Sequence, residues 1–274
     1  MHWNAWFESL RRRIGSHERL PAKPSDPRPT NPYAVAWDQY VKHTKPEAGK
    51  WLGDDWGTEQ FWQLTFKDLF IDQGAKHWRH CIEIGAGSGK YTQHLLAHSA
   101  ADIVAFDISA EFLNVLRTRL AGPIAAGRLF PELLLGERPS EMYEVIRRRG
   151  WVRQVDAFYS IDAMVHVDLQ YLMAYVATGA LVLKRGGKLM MSLADATTDA
   201  GFRLFLEDIR VWYPLQGGPS GKFEWLSRDL IRSVLERIGF EVQFIPELSE
   251  RDAYFVATLA DLSQAKLLED AILD

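Results

Sequence analysis

The run His80-Cys-Ile-Glu-Ile-Gly-Ala-Gly-Ser-Gly-Lys-Tyr91 constrains this chain more than any other feature. It reads as a buried strand, a glycine-rich turn and the first turn of a helix. A second apolar run, Ala101-Asp-Ile-Val-Ala-Phe-Asp107, follows and ends in a carboxylate. That order opens a doubly wound α/β sheet. Gly85, Gly87 and Gly89 let the backbone turn where side chains would block a ligand. The helix behind them points its first amides at whatever sits there. Asp107, at the tip of the next strand, can accept two hydrogen bonds from a ribose diol. A dinucleotide fingerprint requires glycine three residues after its second glycine, which is position 90 here. Lys90 stands there, and the glycine is at 89 instead.

From residue 80 onward strand and helix signals alternate as such a sheet requires. Strands are expected near 80–85, 102–107, 128–135, 155–161, 188–194, 241–246 and 252–259. Helices are expected near 89–99, 109–120, 139–149, 168–184 and 227–238. Gly186-Gly187 is read as ending the helix before the fifth strand, and Gly239 as capping the last one. Ahead of the sheet, residues 33–43 and 58–74 read as helices, and 2–15 as a short amphipathic helix carrying Trp3, Trp6, Phe7, Leu10 and Ile14. Pro21, Pro24, Pro27 and Pro29 make the intervening stretch an extended connector. The division expected is an N-terminal helical cap and linker over 1–75 and a sheet domain over 76–274. Tyr213 to Phe223, rich in glycine and proline, reads as a loop or lid beside the site.

A net charge of −4 argues against a general nucleic-acid binder. The runs Arg11-Arg12-Arg13 and Arg147-Arg148-Arg149 read as solvated helix faces. No apolar run reaches the length of a membrane span. The single cysteine, Cys81, lies inside the first strand and reads as a small core residue, which suits a reducing interior. With no signal-peptide order at the start of the sequence, a cytoplasmic location is expected.

The form Glu83-x-Gly85-x-Gly87-x-Gly89, with Asp107 at the next strand end, resembles motif I of the class I S-adenosylmethionine-dependent methyltransferases. The resemblance covers roughly residues 58–259. It implies a Rossmann-like, seven-stranded, mostly parallel sheet with helices on both faces, its last strand antiparallel and inserted between its neighbours. It also implies S-adenosylmethionine as cofactor. Glu83 and the backbone of Gly85, Ala86 and Gly87 would face the amino-acid portion, with Gly89 completing the turn. Asp107 would take the ribose hydroxyls, Ile108 would pack on the adenine, and Ile161 and Asp162 would close the site from the fourth strand. An acidic residue after the third strand often holds the adenine amino group in this family, and here Glu137 or a backbone group of that stretch would serve.

The fourth strand exits through Ser160-Ile-Asp162-Ala-Met-Val-His166-Val-Asp168. This resembles the Ser-x-Asp-x-x-x-His exit of many small-molecule and sugar O-methyltransferases. Histidine titrates near neutrality, so His166 can remove a hydroxyl proton; support of the loop and substrate binding alone are the alternatives. Asp168 reads as the N-cap of the next helix. Asp195, ending the fifth strand, would neighbour Asp162. The pair could hold Mg²⁺, but hydrogen bonding to substrate is the role expected, with no metal. Trp51-Leu-Gly-Asp-Asp-Trp56-Gly57 resembles a Trp-Gly-Asp-Glu-Trp-Gly element of glycan-linked methyltransferases, which suggests Trp51 and Trp56 as acceptor contacts. The function expected is methyl transfer to a hydroxyl of a sugar, glycan or other small polar molecule. The alternatives are a nucleic-acid or protein methyltransferase, disfavoured by charge and by the missing Pro-Pro motif, or a non-catalytic cofactor-binding homologue.

Overall fold

The computed structural model describes residues 31–136, 138–212, 222–245 and 248–273. The expected helix at 2–15, nearly all of the proline connector and Glu137 lie outside them, as does the lid candidate apart from Lys222 and Phe223. A seven-stranded sheet forms in the order β3-β2-β1-β4-β5-β7-β6. Its strands are β1 His80–Ile84, β2 Asp102–Asp107, β3 Leu129–Leu133, β4 Val155–Ser160, β5 Leu183–Ala194, β6 Phe240–Phe244 and β7 Asp252–Leu259. β1 through β5 pair in parallel. β7 runs antiparallel between β5 and β6, as the family resemblance implies.

Side chains alternate across each strand, and both faces of this sheet are covered. Ile82, Ile84, Val104, Phe106 and Phe158 enter one apolar core. Cys81, Ile103, Ala105, Ala157 and Tyr159 enter the other. Glu83 shares the second face, a carboxylate in an otherwise apolar layer. The crossover helices are α3 Lys90–His98, α4 Ala110–Arg119, α6 Glu141–Arg148, α7 Leu169–Val182, α8 Asp199–Trp212 and α9 Arg228–Ile238. A short α5 spans Ala121–Ala125, and α10 spans Ala265–Leu273. Local signals set several boundaries. The side chains of Ser109, Asp168 and Ser227 cap α4, α7 and α9. Gly239 ends α9 at φ 114°, in the left-handed region open to glycine.

Two helices precede the sheet, α1 Pro32–His43 and α2 Glu59–Phe66. The helix expected at 58–74 keeps its α form only to Phe66 and continues as a π turn through Ile71. Gly186 and Gly187 do not end a helix. α7 stops at Val182, and the glycines sit inside β5 where its register to β4 shifts. A Cβ on Gly187 would lie 2.9 Å from the Lys184 carbonyl and 3.0 Å from that of Val155, so the irregularity needs a bare backbone. α8 escaped the sequence reading, although Phe202, Leu206 and Ile209 recur at helical spacing. All three are exposed, so the pattern marks no core face.

Asp156 ties the lower end of the sheet together. From the start of β4 its carboxylate accepts the Arg79 and His80 amides at 2.7 and 3.1 Å and pairs with Lys184 at the start of β5. Burial alone would raise its pKa, but the lysine and the two amides outweigh it and leave it below the usual carboxylate range. A group depressed in this way stabilises above its unfolded pKa and loses that contribution as pH falls. Asp156→Ala is expected to cost about 1–3 kcal/mol near neutrality. In urea unfolding the gap to the parent should narrow toward pH 3.

Candidate active site

The glycine turn is held flat against the exit of β4. The Gly85 and Ala86 amides donate to the Phe106 carbonyl at 2.8 and 3.2 Å. Gly85 has φ 68°, and a Cβ there would lie 2.3 Å from the Ala163 methyl. No larger residue fits. Gly89 is left-handed too, but a Cβ on it would strike Leu120 at 2.8 Å. It lets α3 pack on the α4–α5 junction and does not line the cavity.

Three carboxylates stand at neighbouring strand ends. Asp107 accepts the Gly87 amide on one oxygen and the Ser109 amide on the other, both at 2.8 Å. Burial pushes it up to about 6 against the pull of those amides. Glu83 accepts the Thr92 hydroxyl at 2.5 Å and the Tyr159 hydroxyl at 3.0 Å on one oxygen. Burial drives it to about 7, although both hydroxyls pull it down. Asp162 takes φ 60°, a left-handed value that aspartate tolerates better than most residues. Its amide donates to Ser192 Oγ at 2.8 Å, and its carboxylate accepts the Tyr254 hydroxyl at 2.9 Å. Burial raises this acid as well. Buried acids left half-satisfied are poised for a cationic or hydroxyl-bearing ligand.

His166 closes a short 3₁₀ turn, Met164–His166. Its Nδ1 lies 2.6 Å from the Lys222 carbonyl oxygen. A carbonyl can only accept, so Nδ1 carries the proton and Nε2 the lone pair. The ring sits between Trp37, edge-on at 5.6 Å, and Phe223 at 5.1 Å. Burial lowers its pKa, Arg251 adds to that, and the Lys222 bond opposes it. The imidazole is thus held neutral at physiological pH.

Trp37 was not singled out in the sequence, yet it links the site. It contacts Trp56 at 6.0 Å and Phe112 at 6.1 Å as well as His166. The available signal was the spacing of Tyr33, Trp37 and Tyr40 along α1. Asp38 anchors that helix by accepting the Ser109 hydroxyl at 2.6 Å and the Glu111 amide at 3.1 Å. The tryptophan-glycine loop is stapled down separately. Lys90 Nζ donates to the carbonyls of Asp54 and Trp56 at 3.3 and 3.1 Å, and Arg119 pairs with Asp54 at 2.8 Å.

These parts enclose a cavity of about 570 Å³, within the usual range for small-molecule sites. Glu83, Gly85, Ala86, Gly87, Asp107, Ile108, Ile161, Asp162, His166 and Trp56 all line it. Trp51 and Asp195 do not. Trp51 lies beneath Arg119, with the guanidinium 5.9 Å from its ring. Asp195 is buried against Arg228 at 2.7 Å and Thr197 Oγ1 at 2.6 Å, so its carboxylate is not turned to the cavity. Beyond β3 the wall is Leu134, Leu135 and Gly136. The amides of Leu135 and Gly136 donate to Glu141 at 2.8 and 2.9 Å. This support was not anticipated.

Residues 82–191, from β1 into β5, match the family model described as a methyltransferase domain. The matched stretch carries every cavity-lining carboxylate and His166. The structure resembles an O-methyltransferase family protein from Burkholderia thailandensis at 15% identity and TM-score 0.54, over 73% of this chain and 57% of that one. It likewise resembles a possible exported protein from Bordetella parapertussis at 15% identity and TM-score 0.54, over 83% and 79%. A third is a Haemonchus contortus phosphoethanolamine N-methyltransferase solved with S-adenosylhomocysteine, at 13% identity and TM-score 0.51, over 75% and 53%. At these identities the likeness is one of fold. The chain spans little more than half of the Burkholderia and Haemonchus proteins. No protein of curated function matches it in sequence. Among the described residues, no helix is long and apolar enough to cross a membrane.

The raised acids set a pH dependence. With folded pKa values of about 7 for Glu83 and about 6 for Asp107, both above their unfolded values, their protonated forms favour folding below the ordinary carboxylate range. That contribution is lost as pH rises through 6 to 7. The unliganded protein should therefore lose melting temperature between about pH 5 and pH 8 from these groups. A ligand that brings a positive charge to these acids should restore more stability at the upper end. Asp107→Ala, which removes one of the raised acids, should reduce this loss while the fold persists.

Proposed function

We propose that this chain transfers the methyl group of S-adenosylmethionine to a hydroxyl oxygen of a small-molecule or glycan acceptor, with His166 receiving the hydroxyl proton. The observation that carries this reading is the bond from His166 Nδ1 to the Lys222 carbonyl at 2.6 Å. It assigns the lone pair to Nε2 of a residue that lines the same cavity as the carboxylates.

The donor set fits the cofactor. Glu83 and Asp162 suit an ammonium group. Asp107 has one amide on each oxygen and retains lone pairs for a ribose diol. Ile108 and Leu134 offer apolar contact to a flat base, and the Gly85–Gly87 backbone allows close approach. When bound, S-adenosylmethionine supplies a methyl group already activated on a sulfonium, so the protein need not build an electrophile. Its residues have two tasks. The glycine turn, the three carboxylates and the aromatic roof would hold donor and acceptor together, and positioning of this kind can be worth about 7–11 kcal/mol. His166 Nε2 would take the hydroxyl proton as the oxygen bonds to the methyl carbon and the carbon–sulfur bond breaks, so that the methylated product and S-adenosylhomocysteine both leave without the sulfonium charge. Trp56 remains an acceptor contact, while Trp51 and Asp195 act behind the wall. A cap over residues 1–75 that roofs a cofactor domain over 76–274 accords with Tyr33 and Trp37 of α1 lining the cavity. The single buried cysteine, Cys81, accords with a cytoplasmic setting.

His166→Ala is expected to lower turnover about 10²–10⁴-fold, the weight of a positioned base, with cofactor affinity nearly unchanged. Turnover of the parent should fall as pH drops through the histidine's lowered pKa, and this limb should vanish in the variant. Near-normal turnover with an unaltered pH profile would return His166 to loop support.

A further inference from the structure

The charges around the cavity define which acceptors it can take. Four carboxylates line it, Glu83, Asp107, Asp162 and Asp168, against one lysine, Lys90. The Lys90 ammonium is already bonded to the Asp54 and Trp56 carbonyls. The other cations nearby are also engaged. Lys222 pairs with Glu224 at 2.6 Å. Arg251 pairs with Asp252 and lies over Phe223, 4.7 Å from its ring. Arg119 is bonded to Asp54 and Ser88. Among the described residues, therefore, no uncommitted cation faces the cavity, and residues 213–221 contain no Lys, Arg or His. The same cavity is lined by aromatic side chains: Trp37, edge-on to His166 at 5.6 Å, and Tyr33, Trp56 and Tyr171. Among the described residues, a phosphate or carboxylate placed there would lose its hydration, meet no uncommitted cation and face several buried acids. A flat neutral ring would stack on the indoles at little desolvation cost.

Resting on the methyltransferase reading, we propose that the acceptor is an uncharged ring-bearing alcohol or phenol, seated against Tyr33, Trp37 and Trp56, and that the site rejects acceptors bearing phosphate or carboxylate near the reacting hydroxyl. Sugar phosphates, nucleotide sugars and hydroxybenzoates are thereby excluded. Free glycosides and neutral phenols share the chemistry that the wall accepts.

The test uses the whole chain saturated with S-adenosylhomocysteine, with probe binding read by tryptophan fluorescence at fixed pH and salt. Two matched pairs are titrated: 4-hydroxybenzyl alcohol against 4-hydroxybenzoate, and methyl glucoside against glucose 6-phosphate. At least one neutral ring should bind, with its anionic counterpart about tenfold weaker or more, and the arm that binds distinguishes an aryl from a sugar acceptor. Tyr171→Arg places a cation on a residue that lines the cavity and is 52% exposed, where folding is not at stake. It should narrow the gap within the responsive pair. Trp37→Ala should weaken the neutral ring and leave S-adenosylhomocysteine affinity in place. If that variant fails to fold, Tyr33→Ala serves in its stead. Equal or tighter binding of the anion, or binding of neither ring, overturns the proposal. Failure of the parent to bind S-adenosylmethionine at all would instead overturn the methyltransferase reading on which it rests.

Discussion

The arrangement of this molecule depends on one place where a side chain has no room. A Cβ on Gly85 would lie 2.3 Å from the Ala163 methyl, so the first turn of the sheet and the exit of β4 are in direct contact. The turn lies flat there because its amides bond back to Phe106 and Asp107. Asp107 also takes the Ser109 amide, and Ser109 in turn donates to Asp38 on the helix above. A single chain of hydrogen bonds thus runs from the floor of the cavity to its roof. It sets the spacing between the strand ends and the aromatic cluster, and hence the space left for a ligand.

Electrostatics follow from the same compression. Carboxylates brought together at adjacent strand ends and shielded from water have raised pKa values, Glu83 most visibly. The free site is therefore partly protonated near neutrality and prefers a ligand that brings positive charge. The cations of the neighbourhood are committed to carbonyls and carboxylates and tie loops to the body. Arg119 and Lys90 anchor the tryptophan-glycine loop, and Arg228 closes on Asp195.

Much of this was legible in the sequence, for local reasons. The glycine spacing, the carboxylate at the end of β2 and the position of His166 after β4 are set by short stretches, and a strand-turn-helix order leaves few ways to place them. What escaped depends on partners distant in the chain. The carbonyl that fixes His166 belongs to Lys222, fifty-six residues on. Asp195 stands at the expected strand end, yet Arg228 turns it away from the cavity. Trp37 joins the site only because Asp38 beside it is bonded to the start of α4. Gly186-Gly187 carried a signal that was real but ambiguous, since a glycine pair marks a helix end and a strand irregularity equally well.

The partner of His166 Nδ1 has a consequence for the proposed proton transfer. In many acid–base sites a carboxylate occupies that position and stabilises the imidazolium once it forms. Here the partner is a neutral carbonyl, in surroundings that already disfavour the charged ring. A proton taken up by Nε2 is therefore weakly held. On the proposed mechanism the ring would discharge it between cycles instead of storing it, and the site would regain its neutral base before the next acceptor arrives.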